Sequence, residues 1–171
     1  KFNANVISAV YNKYNYRNLK MSGTYANQLV NIKGNMPDSN ANFDLDAQIN
    51  LAGKYPAVKA NVGLKQIDLQ KLNFSPTEFK VAGNIKANIT TADVDYLNGD
   101  VYATGLQLVK DGKRFNVDTV QINAVSNATS NSLSLKSELL SAKIDGKYQL
   151  SKIGNAVINQ INKYYQFGEV V

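Results

Sequence analysis

Apolar and polar residues alternate almost without a break from Ala41 to Leu64. Ala41, Phe43, Leu45, Ala47, Ile49 and Leu51 interleave with Asn42, Asp44, Asp46, Gln48 and Asn50. After Gly53-Lys54-Tyr55-Pro56, the residues Val58, Ala60, Val62 and Leu64 interleave with Lys59, Asn61 and Gly63. Successive side chains on a strand point to opposite faces, so each run is a ribbon with one greasy and one wet side. So short a connection pairs them as antiparallel neighbours with their apolar faces together.

The same device recurs along the chain. Lys1–Tyr11 reads as a strand whose phase is blurred by Ile7 and Ala9, and Asn12–Asn18, rich in Tyr and Asn, reads as a turn. Leu19, Met21, Gly23 and Tyr25 alternate with polar residues, Leu29–Gly34 reads as a short strand, and Asn35–Asn40 carries turn-forming residues. Ile67–Leu72 breaks the two-residue period with spacing suited to one helical turn, expected near 67–73 as a cap over the sheet and closed by Pro76. Phe79, Val81, Gly83, Ile85, Ala87 and Ile89 resume alternation.

Beyond the loop Thr91–Asn98, Gly99–Lys110 slips phase near Gly105, where a bulge is expected. Asp111-Gly112 predicts a tight hairpin turn, because that pair accepts positive φ. A second bulge is expected between Thr119 and Val120, and another phase change at Leu139-Leu140. The stretch Ala142–Leu150 predicts a last strand, and Ser151 the cap of a helix running to about Tyr165, with Gly168 where it stops. Bulges twist and curl a sheet. The expected fold is therefore mainly all-β, a long curled antiparallel sheet with a groove-like apolar concave face, built as one segment spanning residues 1–171.

Composition changes this picture little. At 44% hydrophobic and 19% charged the chain is globular rather than disordered. Its +6 charge is scattered, with Lys110, Lys113 and Arg114 the densest cluster, beside a turn. A nucleic-acid surface concentrates basic residues on one face, so no nucleic-acid partner is expected; attraction to anionic headgroups is compatible with the charge. Cysteine and histidine are absent, which removes disulfides, thiol chemistry and the commonest general base and metal ligand. No apolar run is long enough to span a bilayer, and the start at Lys1, without a signal-peptide pattern, suggests an excised segment or a mature product.

Candidate chemistry is sparse. Asp44 and Asp46 share the wet face of a strand, where solubilising charge is the plainer reading than acid–base work. Asp93 and Asp95 share a loop without the oxygen-rich spacing of calcium loops. Asn88-Ile89-Thr90 and Asn127-Ala128-Thr129 match the glycosylation tripeptide, as matches do readily in an Asn-rich chain. Phosphate-cradling glycine loops and nucleophile elbows are missing. No catalytic, metal or cofactor-binding residue is expected, and the chain does not read as an enzyme.

The apolar face carries the functional question. Buried in a closed core it is ordinary packing; left open it is a trough for acyl chains, each methylene of which gains about 0.8 kcal/mol on leaving water. The candidate contacts are Phe43, Leu45, Ile49, Val62, Leu64, Val81, Ile85, Ile89 and Ile144.

Four stretches together resemble the repetitive β-rich region of TamB-like proteins within the AsmA-like group: LKMSGTY (19–25), AVKANVGLKQIDLQKLNF (57–74), YLNGDVYATGLQL (96–108) and SLSLKSELLSAKIDGKYQL (132–150). The Asn-, Lys- and Tyr-rich flavour is similar to members from the Bacteroidota. The resemblance rests on pattern rather than on any invariant residue. It implies an elongated periplasmic protein tethered to the inner membrane, whose folded-over sheet carries phospholipid toward the outer membrane with an outer-membrane barrel partner of the assembly-factor type. The alternative expectation is a scaffold module for outer-membrane protein assembly with a closed apolar core.

Overall fold

The computed structural model describes residues 1–152. Ten strands run in chain order through one antiparallel sheet: β1 (Phe2–Tyr11), β2 (Tyr14–Ala26), β3 (Leu29–Pro37), β4 (Ala41–Asn50), β5 (Ala57–Asp68), β6 (Phe79–Thr91), β7 (Asn98–Lys110), β8 (Lys113–Ser126), β9 (Asn131–Ser137) and β10 (Ser141–Gly146). Each strand pairs with the one before and the one after it, and β1 and β10 are the edges. The expected long antiparallel sheet is what the chain forms.

Several boundaries differ from the sequence reading. The expected turn Asn12–Asn18 is only Asn12-Lys13, both at positive φ, and Tyr14–Asn18 already belongs to β2. The Tyr and Asn residues that suggested a turn serve a different purpose, described below. Likewise β3 runs on to Pro37, and the last strand stops at Gly146 rather than at Leu150. A helical turn does follow β5: the Leu72 amide donates to the Asp68 carbonyl at 3.0 Å and the Asn73 amide to the Gln70 carbonyl at 3.0 Å. The expected helix from Ser151 lies outside the described residues beyond Lys152.

Phase changes are handled by matched pairs of strands. Gly105 takes φ +58°, and the β6–β7 register shifts beside it, between Ala82 and Asn84, as expected. The second bulge, expected in β8, is absent from its pairing with β7. The register stays constant from Lys110↔Lys113 to Gly99↔Ala124, with only the rung between Gly105 and Asp118 missing. Both strands change face there together: Leu106 pairs with Val117 on one side and Ala103 with Val120 on the other. Val117 and Ala124, in opposite phases of β8, are therefore both buried.

The same event occurs in the first hairpin. Asn18 takes φ +60°, and its rung with Ile7 is missing while the register above and below is unchanged. Beyond it Tyr14 and Tyr16 join Leu19 on the apolar face, and their cross-strand partners Tyr11 and Ala9 come with them. Ile7 and Ala9 blur the pattern of β1 for this reason.

Burial is shallow. The largest buried cluster is Met36, Ala41 and Leu72, flanked by Tyr14, Tyr16, Leu19, Phe43 and Ile67. It forms where the loop after β5 crosses one rim of the sheet to the β1–β2 turn. Asn12 Nδ2 donates to the carbonyls of Leu72 at 3.1 Å and Asn73 at 2.8 Å, and Asn73 Nδ2 returns a bond to the Asn12 carbonyl at 2.9 Å. Tyr11 packs on Phe74 with ring centroids 6.3 Å apart. Asp38, 4% exposed, ties the rim from beneath by accepting bonds from Tyr14 Oη and from the amides of Arg17 (3.1 Å), Asn40 (2.9 Å) and Ala41 (3.2 Å).

A ten-stranded apolar face

Cross-strand register decides which side chains become neighbours, and here it lines up apolar residues from edge to edge. One row passes through Phe2, Gly23, Ile32, Ala47 and Ala60. It continues through Ala87, Val101, Ile122, Leu135 and Ala142, so every strand contributes. At about 4.8 Å between neighbouring strands, nine steps make the row about 43 Å long.

Nine candidate contacts fall on this face. Leu45, Val62 and Ile85 are consecutive in a parallel row, between Gly34 and Ala103. Ile49 and Ile89 flank Val58 in the next row, whose far end is Leu133 and Ile144. Phe43 pairs with Leu64, and Val81 with Ile67 across the bulge that returns β5 to phase. Eight of the nine are half-buried, and Ile144, on the edge strand, is 39% exposed. Sequence reasoning missed Met21, Val101, Val120, Ile122, Leu133 and Leu135, which extend the same rows. Their alternation was visible, but their row depends on the phase changes of their neighbours.

Small residues set the depth of the face. The Phe2 ring lies over Gly23, where an added Cβ would meet it at 2.5 Å, and the Leu106 side chain lies over Gly83 in the same way at 2.8 Å. Large side chains thus recline on glycines instead of filling the space above the sheet. Among the described residues no second layer covers the face, and no large side chain is fully buried. The total accessible surface is 11823 Å², where a compact monomer of this mass exposes about 8,300 Å².

The opposite face is polar from strand to strand: Lys33, Asp46, Asn61, Lys86, Tyr102 and Gln121 follow one another in register. Its shallow hollows, one of about 620 Å³ beside Lys33, Asp46 and Lys86, lie between these long side chains. The carboxylates there are paired. Asp46 meets Lys33 at 2.8 Å and Asp44 meets Lys65 at 2.6 Å. Hydrogen bonds from Lys65 and then Asn35 hold the Asp44 carboxyl below its ordinary range, the wrong direction for a general acid.

The second rim is tied differently. Tyr55 stacks on Tyr96 at 5.6 Å, and the Ala92 amide donates to the Pro56 carbonyl at 2.8 Å. Asp95 accepts from the Ser151 amide at 2.9 Å and from Ser151 Oγ at 3.0 Å, which occupies one of the two loop carboxylates and lowers its pKa. Asp93 accepts from the Asp95 amide at 3.0 Å. Among the described residues no cluster of acids suits a metal ion, and no helix is long and apolar enough to cross a membrane. Comparison with protein-family models, curated proteins and solved structures finds no match to this chain.

Proposed function

We propose that this chain is a segment of a lipid-conducting bridge between membranes, its apolar face serving as the bed for phospholipid acyl chains. The observation that carries the reading is the apolar row unbroken across all ten strands, on a face that no second layer covers among the described residues. A closed core also aligns apolar residues, but it hides them. Here Leu45, Val62 and Ile85 remain half-exposed along the middle of the sheet. An acyl chain laid along the rows replaces water at about 0.8 kcal/mol per methylene, and sliding from row to row meets no chemical step. The polar face and its ion pairs keep the outer side solvated.

The resemblance to TamB-like proteins supports the same reading and extends it to the periplasm, an inner-membrane tether elsewhere in a longer protein, and an outer-membrane barrel partner. Native mass spectrometry of the purified chain, with lipid extraction alongside, tests it. Co-purifying phospholipid is expected, and Leu45→Asp, in a variant whose circular dichroism stays β-rich, is expected to lose at least tenfold of it. A chain that carries no lipid and refuses added phospholipid overturns the reading.

A further inference from the structure

The apolar face ends differently at its two rims. Where β7 turns into β8, its last apolar row runs through Ile67, Val81, Leu108 and Phe115. Phe115 is 47% exposed, so the row is open to its end. The next rung outward sets Phe79 against Lys110, and Lys110 against Lys113. Each lysine stands two residues from an apolar-face residue of its own strand, Leu108 or Phe115, so alternation puts both on the apolar side. Like charges directly opposite each other on one face are destabilising. Among the described residues neither lysine forms an ion pair, and neither does Asp111 in the turn between them. Glu78, which reaches this turn, is already bound: it accepts from Lys80 Nζ and from the Gly112 amide, both at 2.8 Å. The opposite rim is charged differently. Lys54 there lies over the Tyr55 ring, 5.0 Å from its centroid, and Asp93 and Asp95 bring negative charge.

We propose that Lys110 and Lys113 seat the phosphate of a bound phospholipid, whose acyl chains run inward over Leu108, Leu106, Ala103 and Val101. A lysine lays its apolar stem on an apolar surface and keeps its ammonium at the wet margin. That margin is where a headgroup meets its tails. A phosphate between the two ammoniums replaces one repulsion with two attractions, since lysine meets phosphate as a point charge. The face thereby gains a polarity, with headgroups at the β7–β8 rim and tails toward the rim of Tyr55 and Tyr96. The proposal rests on the reading that the face beds acyl chains, and adds which end of the lipid lies where.

The test titrates the purified chain with dioctanoyl phosphatidic acid and with dioctanoylglycerol, which differ only in the phosphate, and reads bound lipid by native mass spectrometry. The wild-type chain is expected to bind the phosphate-bearing lipid at least tenfold more tightly. Both lysines are exposed, so Lys110→Gln with Lys113→Gln is expected to keep the wild-type circular dichroism. That variant is expected to lose most of the preference while binding dioctanoylglycerol as before. Lys59→Gln with Lys86→Gln removes the same charge from the polar face and is expected to keep the preference. Inorganic phosphate is expected to bind at least tenfold more weakly than phosphatidic acid. A wild-type chain that binds both lipids equally, or a Lys110/Lys113 variant that keeps the full preference, overturns the proposal and leaves the acyl-chain reading standing. Equal loss in the polar-face variant overturns it in favour of diffuse attraction, and inorganic phosphate binding as tightly as the lipid overturns it in favour of an ion site. A chain that binds neither lipid overturns both readings.

Discussion

Asp38 is the residue on which most of the rim depends. Its burial opposes ionisation, but the hydrogen bonds from Tyr14 and from the Asn40, Arg17 and Ala41 amides outweigh it, so its pKa lies below the ordinary carboxylate value. A carboxyl whose pKa falls on folding adds stability above its unfolded pKa, and that stability is lost as pH drops through the folded value. The rim is thus expected to loosen below about pH 4. Asp38→Ala leaves the half-buried Tyr14 hydroxyl and several amides without their acceptor, and is expected to cost about 1–3 kcal/mol. Urea denaturation at neutral pH and in acid measures both effects, and the gap between variant and wild type should narrow in acid. None of this was legible in the sequence. Asn35–Asn40 shows only turn-forming residues, and the tyrosine that completes the site stands 24 positions away.

At the scale of elements, the legible parts were those whose pattern needs no partner. The hairpin β4–β5 and strand β6 declare themselves by strict alternation, and the turn after β5 by breaking it. The tyrosine-rich start of β2 did not, because its side chains serve the apolar face only after Asn18 has rotated the strand. The expected bulge in β8 failed for a related reason: its partner changes phase at the same rung, so the register never shifts. A sequence shows the phase change and not how the neighbour answers it. The loop after β5 offers the sharpest energetic test. Leu72, 4% exposed, anchors it to Met36 and Ala41, so Leu72→Ala is expected to cost about 2–5 kcal/mol. Leu139→Ala, at a position 74% exposed in the β9–β10 turn, should stay within about 0.5 kcal/mol. Thermal or chemical denaturation of the two variants compares them.

The whole molecule keeps much of its surface in water. An unfolded chain of 18.8 kDa exposes about 27,000 Å², so the chain hides somewhat more than half of that, where a compact fold hides about 70%. Because the urea dependence of stability scales with the area exposed on unfolding, the slope of its unfolding curve is expected to fall below that of compact domains of the same length. Equilibrium urea titration followed by circular dichroism reads that slope directly. A slope equal to that of a compact domain would mean that the apolar face is covered in solution.

The strictly sequential order of the ten strands has a mechanical consequence. Each strand is held in the sheet by the strands made just before and just after it, so every hairpin can form as soon as its second half arrives. Such a chain can grow like a zipper from whichever end is delivered first, without waiting for distant partners to close a loop. Pulled from its ends, it should come apart strand by strand, in many small steps rather than one rupture.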